Sequence, residues 1–155
     1  MIPSIKKLLS LRRETSLVSE SANRSNIIYI TKDALTAVKD TFHWITDELM
    51  RDQDKCRKII IYCRSVKAVG TLFSYFMDEL GQGIYVGKPF SANRLVAMYH
   101  RVTPTRMKKM VASNFHKLDS VIRVVLATLA FGMGIDCPDV FLVINWGAPT
   151  TSEGF

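Results

Sequence analysis

Between Glu79 and Asp119 the chain has no acidic residue, although Lys88, Arg94, Arg101, Arg106, Lys108, Lys109 and Lys117 all fall there. So long a block of one sign excludes an acidic surface over this stretch. It favours a polyanionic partner, because phosphates neutralised by cations release condensed counterions. From charge alone, a solvated basic face is the plain alternative. Elsewhere the balance is milder: ten Lys/Arg against eight Asp/Glu in residues 1–57, eleven against six in residues 58–155, and +7 overall. Cysteine is scarce as well. Cys56, Cys63 and Cys137 stand far apart with no Cys-x-x-Cys pair, which speaks against a zinc site or disulfide framework and for a reducing compartment. No apolar run reaches the ~20 residues that span a bilayer. Lys6, Lys7, Arg12 and Arg13 break up the apolar core that a signal peptide needs. No membrane partner is expected, and the expected home is the cytosol or nucleus.

A phosphate-cradling P-loop is missing too. It needs Gly, four residues, then Gly-Lys-Ser/Thr. The nearest stretch, residues 83–89, has only three residues between Gly83 and Gly87 and puts Pro89 where the metal-binding hydroxyl belongs. Asp47-Glu48 and Asp78-Glu79 look like the acid pair of an ATPase, but both fall late on amphipathic helical patterns rather than at the end of a buried strand. His43, His100 and His116 have no ligand-spaced partners, and no nucleophile triad is present. No residue is therefore assigned as catalytic or as a metal ligand.

What is there is an ordinary globular composition, 48% hydrophobic and 23% charged over 155 residues, enough for one domain with a real core. Residues 1–25 are basic, Ser-rich and aperiodic, a lead-in to a domain spanning residues 26–155. Residues 26–30 are β-branched and predict a strand, with Asp33 as the N-cap of a following helix. Leu35, Val38, Phe42, Ile45 and Leu49 share one face of that helix. Residues 58–62 form a continuous apolar run, the pattern of a strand buried on both faces. Val66, Val69, Leu72, Phe73, Phe76 and Leu80 make a second helical stripe, stopped by Gly81. Residues 84–86 predict a short strand. Thr103 and Pro104 fit the N-cap and first position of a third helix, whose inward face is Met107, Met110, Val111 and Phe115. Residues 121–126 and 140–144 predict two further buried strands. Such alternation implies an α/β fold with a mainly parallel sheet and helices on both faces, and ligands meet such sheets at the carboxyl ends of the strands.

Two loops follow from that placement. One is Cys63-Arg64-Ser65. The other begins at Ala127-Thr128, where small residues allow close approach and a threonine hydroxyl can bind a phosphate. It continues as Phe131-Gly132-Met133-Gly134-Ile135-Asp136, with two glycines that permit backbone angles other residues avoid and a carboxylate able to accept from ribose hydroxyls. Taken alone, Gly-x-Gly-x-Asp is equally a simple turn capped by its aspartate.

Its neighbours change that reading. Residues 127–140, Ala-Thr-Leu-Ala-Phe-Gly-Met-Gly-Ile-Asp-Cys-Pro-Asp-Val, resemble motif V of RecQ-like DNA helicases of superfamily 2. Ile59 to Ser65 resembles motif IV, and Met98-Tyr99-His100 with Lys108, Lys109 and Phe115 is similar to the intervening region of that family. Val143-Ile144-Asn145-Trp146-Gly147-Ala148-Pro149 resembles the strand and turn before motif VI, and Asn23-Arg24-Ser25-Asn26 the Asn-Arg-x-Asn opening of the domain. The resemblance covers roughly residues 20–155.

It implies the helicase C-terminal lobe, a RecA-like three-layer sandwich, from a motor of two such lobes that moves 3′ to 5′ on single-stranded DNA and separates duplexes. Thr128, Arg64 and Ser65 would contact the DNA, with Arg101 and His100 weaker candidates because the histidine position is commonly structural. Gly134 and Asp136 would face ATP and the lobe interface. ATP and Mg2+ would be held mainly by an N-terminal lobe acting in cis, which carries the Walker A and B motifs. The family's Gln-x-x-Gly-Arg-x-Gly-Arg motif VI would follow Glu153-Gly154-Phe155. The expectation is a fragment that does not hydrolyse ATP or unwind DNA unaided, from a protein of recombination or replication-linked repair, nuclear or, in a prokaryote, cytoplasmic. Its partners would be single strands and duplex junctions. Two rivals stand beside this: a DEAD-box-type RNA helicase lobe, and a non-catalytic nucleic-acid-binding module derived from a helicase.

Overall fold

A computed structural model describes residue 10 and residues 26–33, 37–128, 131, 137 and 139–147, and among these described residues four strands and three α-helices carry the architecture. The chain divides into two units, Met1–Asp33 and Ala34–Phe155. In the first, residues 27–33 run without regular secondary structure, and Ile28, Tyr29 and Ile30 are exposed. The strand predicted at residues 26–30 is not formed. β-Branched residues favour a strand only where a neighbouring ladder and a packed face receive them.

In the second unit, α1 is Val38–Asp52, β1 Lys58–Cys63, α2 Val66–Leu80, β2 Val96–Tyr99, α3 Thr105–Phe115, β3 Val124–Ala127 and β4 Val140–Trp146. The strands lie in the order β2-β3-β1-β4, and every pair is parallel. Alternate side chains go to opposite faces. Ile59, Ile61, Val96, Val124 and Leu126 meet Phe42, Ile45 and Leu49 of α1 and Val69, Leu72 and Phe76 of α2. On the other face Ile60, Ala97, Val125 and Ala127 meet Val111 and Phe115 of α3. Helices thus cover both faces, as the alternation predicts. Each buried Leu, Ile or Phe contributes about 1.5–3 kcal/mol of apolar transfer free energy.

Several local expectations need correction. Helix α1 starts with Ala37 as its N-cap, without a side-chain bond, so Asp33 lies too far upstream to cap it; Leu35 lies outside the described residues. Residues 84–86 are not a strand of the sheet. A 3-10 turn, Gly81–Ile84, is followed by an isolated antiparallel bridge between Tyr85 and Arg94. Main-chain bonds from Val86 N–H to Asn93 O (2.8 Å) and from Leu95 N–H to Ile84 O (2.9 Å) close this small loop on itself. The sheet position falls instead to the unanticipated β2. Pro104, not Thr103, occupies the N-cap of α3, and the Thr103 hydroxyl accepts from His100 N–H at 3.1 Å. Strand β4 is not buried on both faces. It is an edge strand with Phe141 and Val143 exposed, and the Arg57 guanidinium stacks 3.6 Å over the Phe141 ring.

Candidate nucleic-acid interface

All four strands run the same way, so their carboxyl ends form one rim. The register pairs Tyr99 with Ala127, Ala127 with Tyr62, and Cys63 with Trp146. The residues just past the rim are therefore His100 and Arg101, Thr128, Arg64 and Ser65, and Gly147. Neighbouring strands are ~4.8 Å apart, so this row spans roughly 15 Å. Of the site residues read from the sequence, the rim gathers Thr128, Arg64, Ser65 and Arg101. Gly134 and Asp136 lie outside the described residues.

Several rim residues are fixed locally and keep polar groups to spare. Thr128 donates its N–H to Tyr99 O (3.2 Å) and accepts from Phe131 N–H (3.0 Å), and its hydroxyl has no partner among the described residues. Phe131 is buried and stacks edge-on against Tyr99 (4.8 Å) and Phe115 (6.0 Å), which anchors the start of the loop. Ser65 is the N-cap of α2: its Oγ accepts from Ala68 N–H at 3.1 Å. That bond satisfies one orphan helix amide and leaves the hydroxyl proton to donate elsewhere. Arg64 is exposed, and its Cβ would lie 3.8 Å from a Cβ at Gly147, whose φ is +95°. Arg101 is exposed, with its carbonyl accepting from Lys108 Nζ at 3.0 Å.

The basic block divides into two groups. Arg94 lies against the rings of Phe73 (5.3 Å) and Tyr85 (5.7 Å), and Lys108 against Tyr99 (6.0 Å). These cations are part of the fold. Arg101, Arg106 and Lys109 are exposed, with no ion pair among the described residues. His100 keeps a buried Nδ1 without a partner among the described residues. Burial first, and Lys108 second, lower its pKa, so the ring stays neutral and is a poor phosphate partner.

Sequence reasoning missed the most buried charge. Lys58, at the start of β1, is 1% exposed and pairs with Asp139 at 2.6 Å. Its Nζ also donates to Phe115 O and Lys117 O, both at 2.7 Å. It thereby ties the last turn of α3 to the entry of β4. Arg123 is likewise buried, donating to the carbonyls of Cys56 and Ser120. The only signal for either was a cation beside an apolar run. Glu48, Asp52 and Cys56 cluster within 4.8 Å, but Arg57 and Arg51 already pair with the two carboxylates. The Cys56 thiol donates to Glu48 O, and burial pushes its pKa up to about 11. This is a packed helix end rather than a metal centre. The acid pairs Asp47-Glu48 and Asp78-Glu79 sit on α1 and α2, away from the rim.

Residues 40–155 match the helicase conserved C-terminal domain family. The chain belongs to this family. Among its relatives is the ATP-dependent helicase SGS1 of Saccharomyces cerevisiae, 27% identical over 143 residues, 92% of this chain and 9% of that protein. The RecQ-like DNA helicase BLM of Xenopus laevis is 29% identical over 159 residues, 99% of this chain and 10% of that protein. A protein of Acanthamoeba polyphaga mimivirus named as an ATP-dependent RNA helicase is 43% identical over 58 residues, 37% of this chain and 10% of that protein. The chain spans about a tenth of the length of these relatives. Domain 2 of the DEAD-box helicase Mss116p, solved bound to an RNA duplex, superposes with a TM-score of 0.54 at 20% identity, covering 72% of this chain and 39% of that one. The fold of this helicase C-terminal domain is accordingly RecA-like α/β, as the motif resemblance implies, and its relatives over most of the chain are RecQ-like.

Proposed function

We propose that this domain is the C-terminal lobe of an ATP-dependent 3′–5′ DNA helicase. In this reading Thr128, Arg64, Ser65 and Arg101 hold the backbone of a single strand, with duplex junctions as the wider substrate. Gly134 and Asp136 face ATP and a partner lobe in cis, which binds most of the ATP and Mg2+. The observation that supports it is the parallel register, which brings Arg64 and Ser65 after β1, Thr128 after β3 and Arg101 after β2 to one rim with unused hydroxyl and guanidinium groups. A role in recombination or replication-linked repair, in the nucleus or a prokaryotic cytoplasm, belongs to the same proposal. These 155 residues bind a strand but do not turn over ATP, since neither a P-loop nor an arginine pair like that of motif VI occurs in them.

The test is fluorescence anisotropy of a labelled oligothymidylate titrated with the chain at several salt concentrations. Arg64→Ala and Arg101→Ala are each expected to weaken binding several-fold and to reduce the slope of log K against log salt by about 0.7. Thr128→Val is expected to weaken binding without changing the slope. Unchanged affinity and slope in all three variants would refute the rim as the strand site. The mimivirus relative supports a second reading, an RNA helicase lobe. Tighter binding of oligouridylate than of oligothymidylate of equal length would favour it.

A further inference from the structure

Beside the rim lies a crevice of about 290 Å³, between the starts of α1 and α2 and the end of β4. Its lining includes Val38, Ser65, Lys67, Thr71, Leu72 and Trp146. Trp146 is the last residue of β4 and stands opposite Cys63, so its ring begins one residue away from Arg64. Phe42, fully buried, meets the indole edge-on at 4.9 Å and 70°. That contact fixes the ring plane from the core side while the ring still lines the crevice.

Three residues that line this space carry an unused polar group. Lys67 and Thr71 lie one turn apart on α2, a spacing that puts both on one helix face. Among the described residues neither side chain has a hydrogen bond or ion pair, and the indole N–H of Trp146 has none either. Leu72 and Val38 supply apolar walls, and among the described residues no carboxylate lines the crevice. A fixed indole, apolar walls, a cation and free hydrogen-bonding groups match a flat, apolar-faced ligand with a polar edge and an attached negative charge. The volume is at the lower end of the ~300–1,000 Å³ typical of small-ligand sites, room for one base rather than a whole nucleotide.

We propose that this crevice is a base-stacking subsite, which takes one unpaired nucleobase of a single strand onto Trp146 while the flanking phosphates meet Lys67 and Arg64. It rests on the strand-binding reading above and adds to it. Backbone contacts at Thr128 and Arg64 ignore the bases, whereas a stacked base fixes the strand's position along the rim. Every base has a π-face, so the subsite tolerates any sequence. A purine from free ATP has the same chemistry as a base in a strand, and the two are separated by experiment.

The chain has two tryptophans, so Trp44→Phe leaves Trp146 as the sole indole reporter; Trp44 is exposed on α1. This variant is titrated with labelled oligothymidylate, with the same oligomer made abasic throughout, and with ATP. Anisotropy reads strand binding and tryptophan emission reads stacking. Oligothymidylate is expected to quench Trp146 with the same midpoint as the anisotropy change. The abasic strand is expected to bind about tenfold more weakly and leave the emission unchanged. Because Trp146→Ala also removes packing on Phe42, the crevice is blocked instead with Thr71→Trp at an exposed position, read by anisotropy. That variant is expected to bind both strands equally, at the abasic strand's affinity. Equal binding of both strands by the unblocked protein, or equal quenching by both, overturns the subsite while leaving the phosphate-binding reading in place. Quenching by ATP but not by the oligomer overturns the strand as its occupant. Absence of binding to either strand overturns the subsite and the strand-binding reading together.

Discussion

At the scale of single residues, Lys58 and His100 show how burial sets behaviour. Lys58→Met leaves the Asp139 carboxylate and two carbonyls without their donor. Breaking a buried pair from one side costs about 3–5 kcal/mol, and the low end is expected because Asp139 is 25% exposed. Urea denaturation measures it, and a loss below about 1 kcal/mol would show that the pair holds nothing together. His100 makes stability depend on pH. Its native pKa lies below the usual 6.5, through burial first and Lys108 second, so the unfolded chain binds its proton first. The stability it contributes is therefore complete above about pH 6.5 and is lost as pH falls through the lowered native value. Between pH 7.5 and 5.5 the melting temperature should fall more for the wild type than for His100→Gln; equal falls would remove His100 as the cause. Burial also raises the thiol pKa of Cys56 and of Cys63 to about 11. Cys56 and Cys63 should accordingly stay largely unalkylated at pH 8 in the folded domain and react once it is unfolded in urea, as read by peptide mass spectrometry. That Thr128, Arg64 and Ser65 stand just past strand ends was legible because they follow directly on contiguous apolar runs. Lys58 and Asp139 were not, because their partnership is made by the crossing of β1, α3 and β4 rather than by spacing along the chain.

At the scale of elements, helices α1 and α2 followed from their stripes because a helix writes its buried face at a fixed period. Their ends were legible only where a residue type forces the geometry. Gly81 ends α2 at φ +50° and ψ −126°, and a methyl group added there would meet nothing within 4 Å, so Gly81→Ala isolates the backbone cost, about 1–3 kcal/mol. Thermal unfolding checks it, and a neutral result would mean that the turn relaxes. Ala37 caps α1 without a side-chain bond, so no sequence signal marked that start. Strand β2 was not anticipated, whereas residues 84–86 looked like a strand and instead bond within their own loop. The expectation that β4 is buried on both faces failed for a different reason. An edge strand with one open face can carry as many apolar residues as a central one, and Phe141 is partly shielded by Arg57 rather than by a helix.

At the scale of the whole molecule, the net charge of +7 predicted an anionic partner but not which cations serve it, since Arg94 and Lys108 are spent on aromatic rings. Purified chain at low ionic strength should bind oligothymidylate yet show no DNA-stimulated ATPase above background; measurable turnover would contradict the proposed division of labour between lobes. The strand order has a consequence for how the chain is made. Of the four described strands, β1, one of the two inner ones, is synthesised first, while its neighbours β3 and β4 come last. At roughly 5–20 residues per second, Ile59-Ile60-Ile61 waits on the order of several seconds with both edges unpaired. During that wait the segment is a template for the wrong neighbour, and Arg57, Lys58 and Arg64 on its flanks act as charged gatekeepers against aggregation before they have any role in the folded domain.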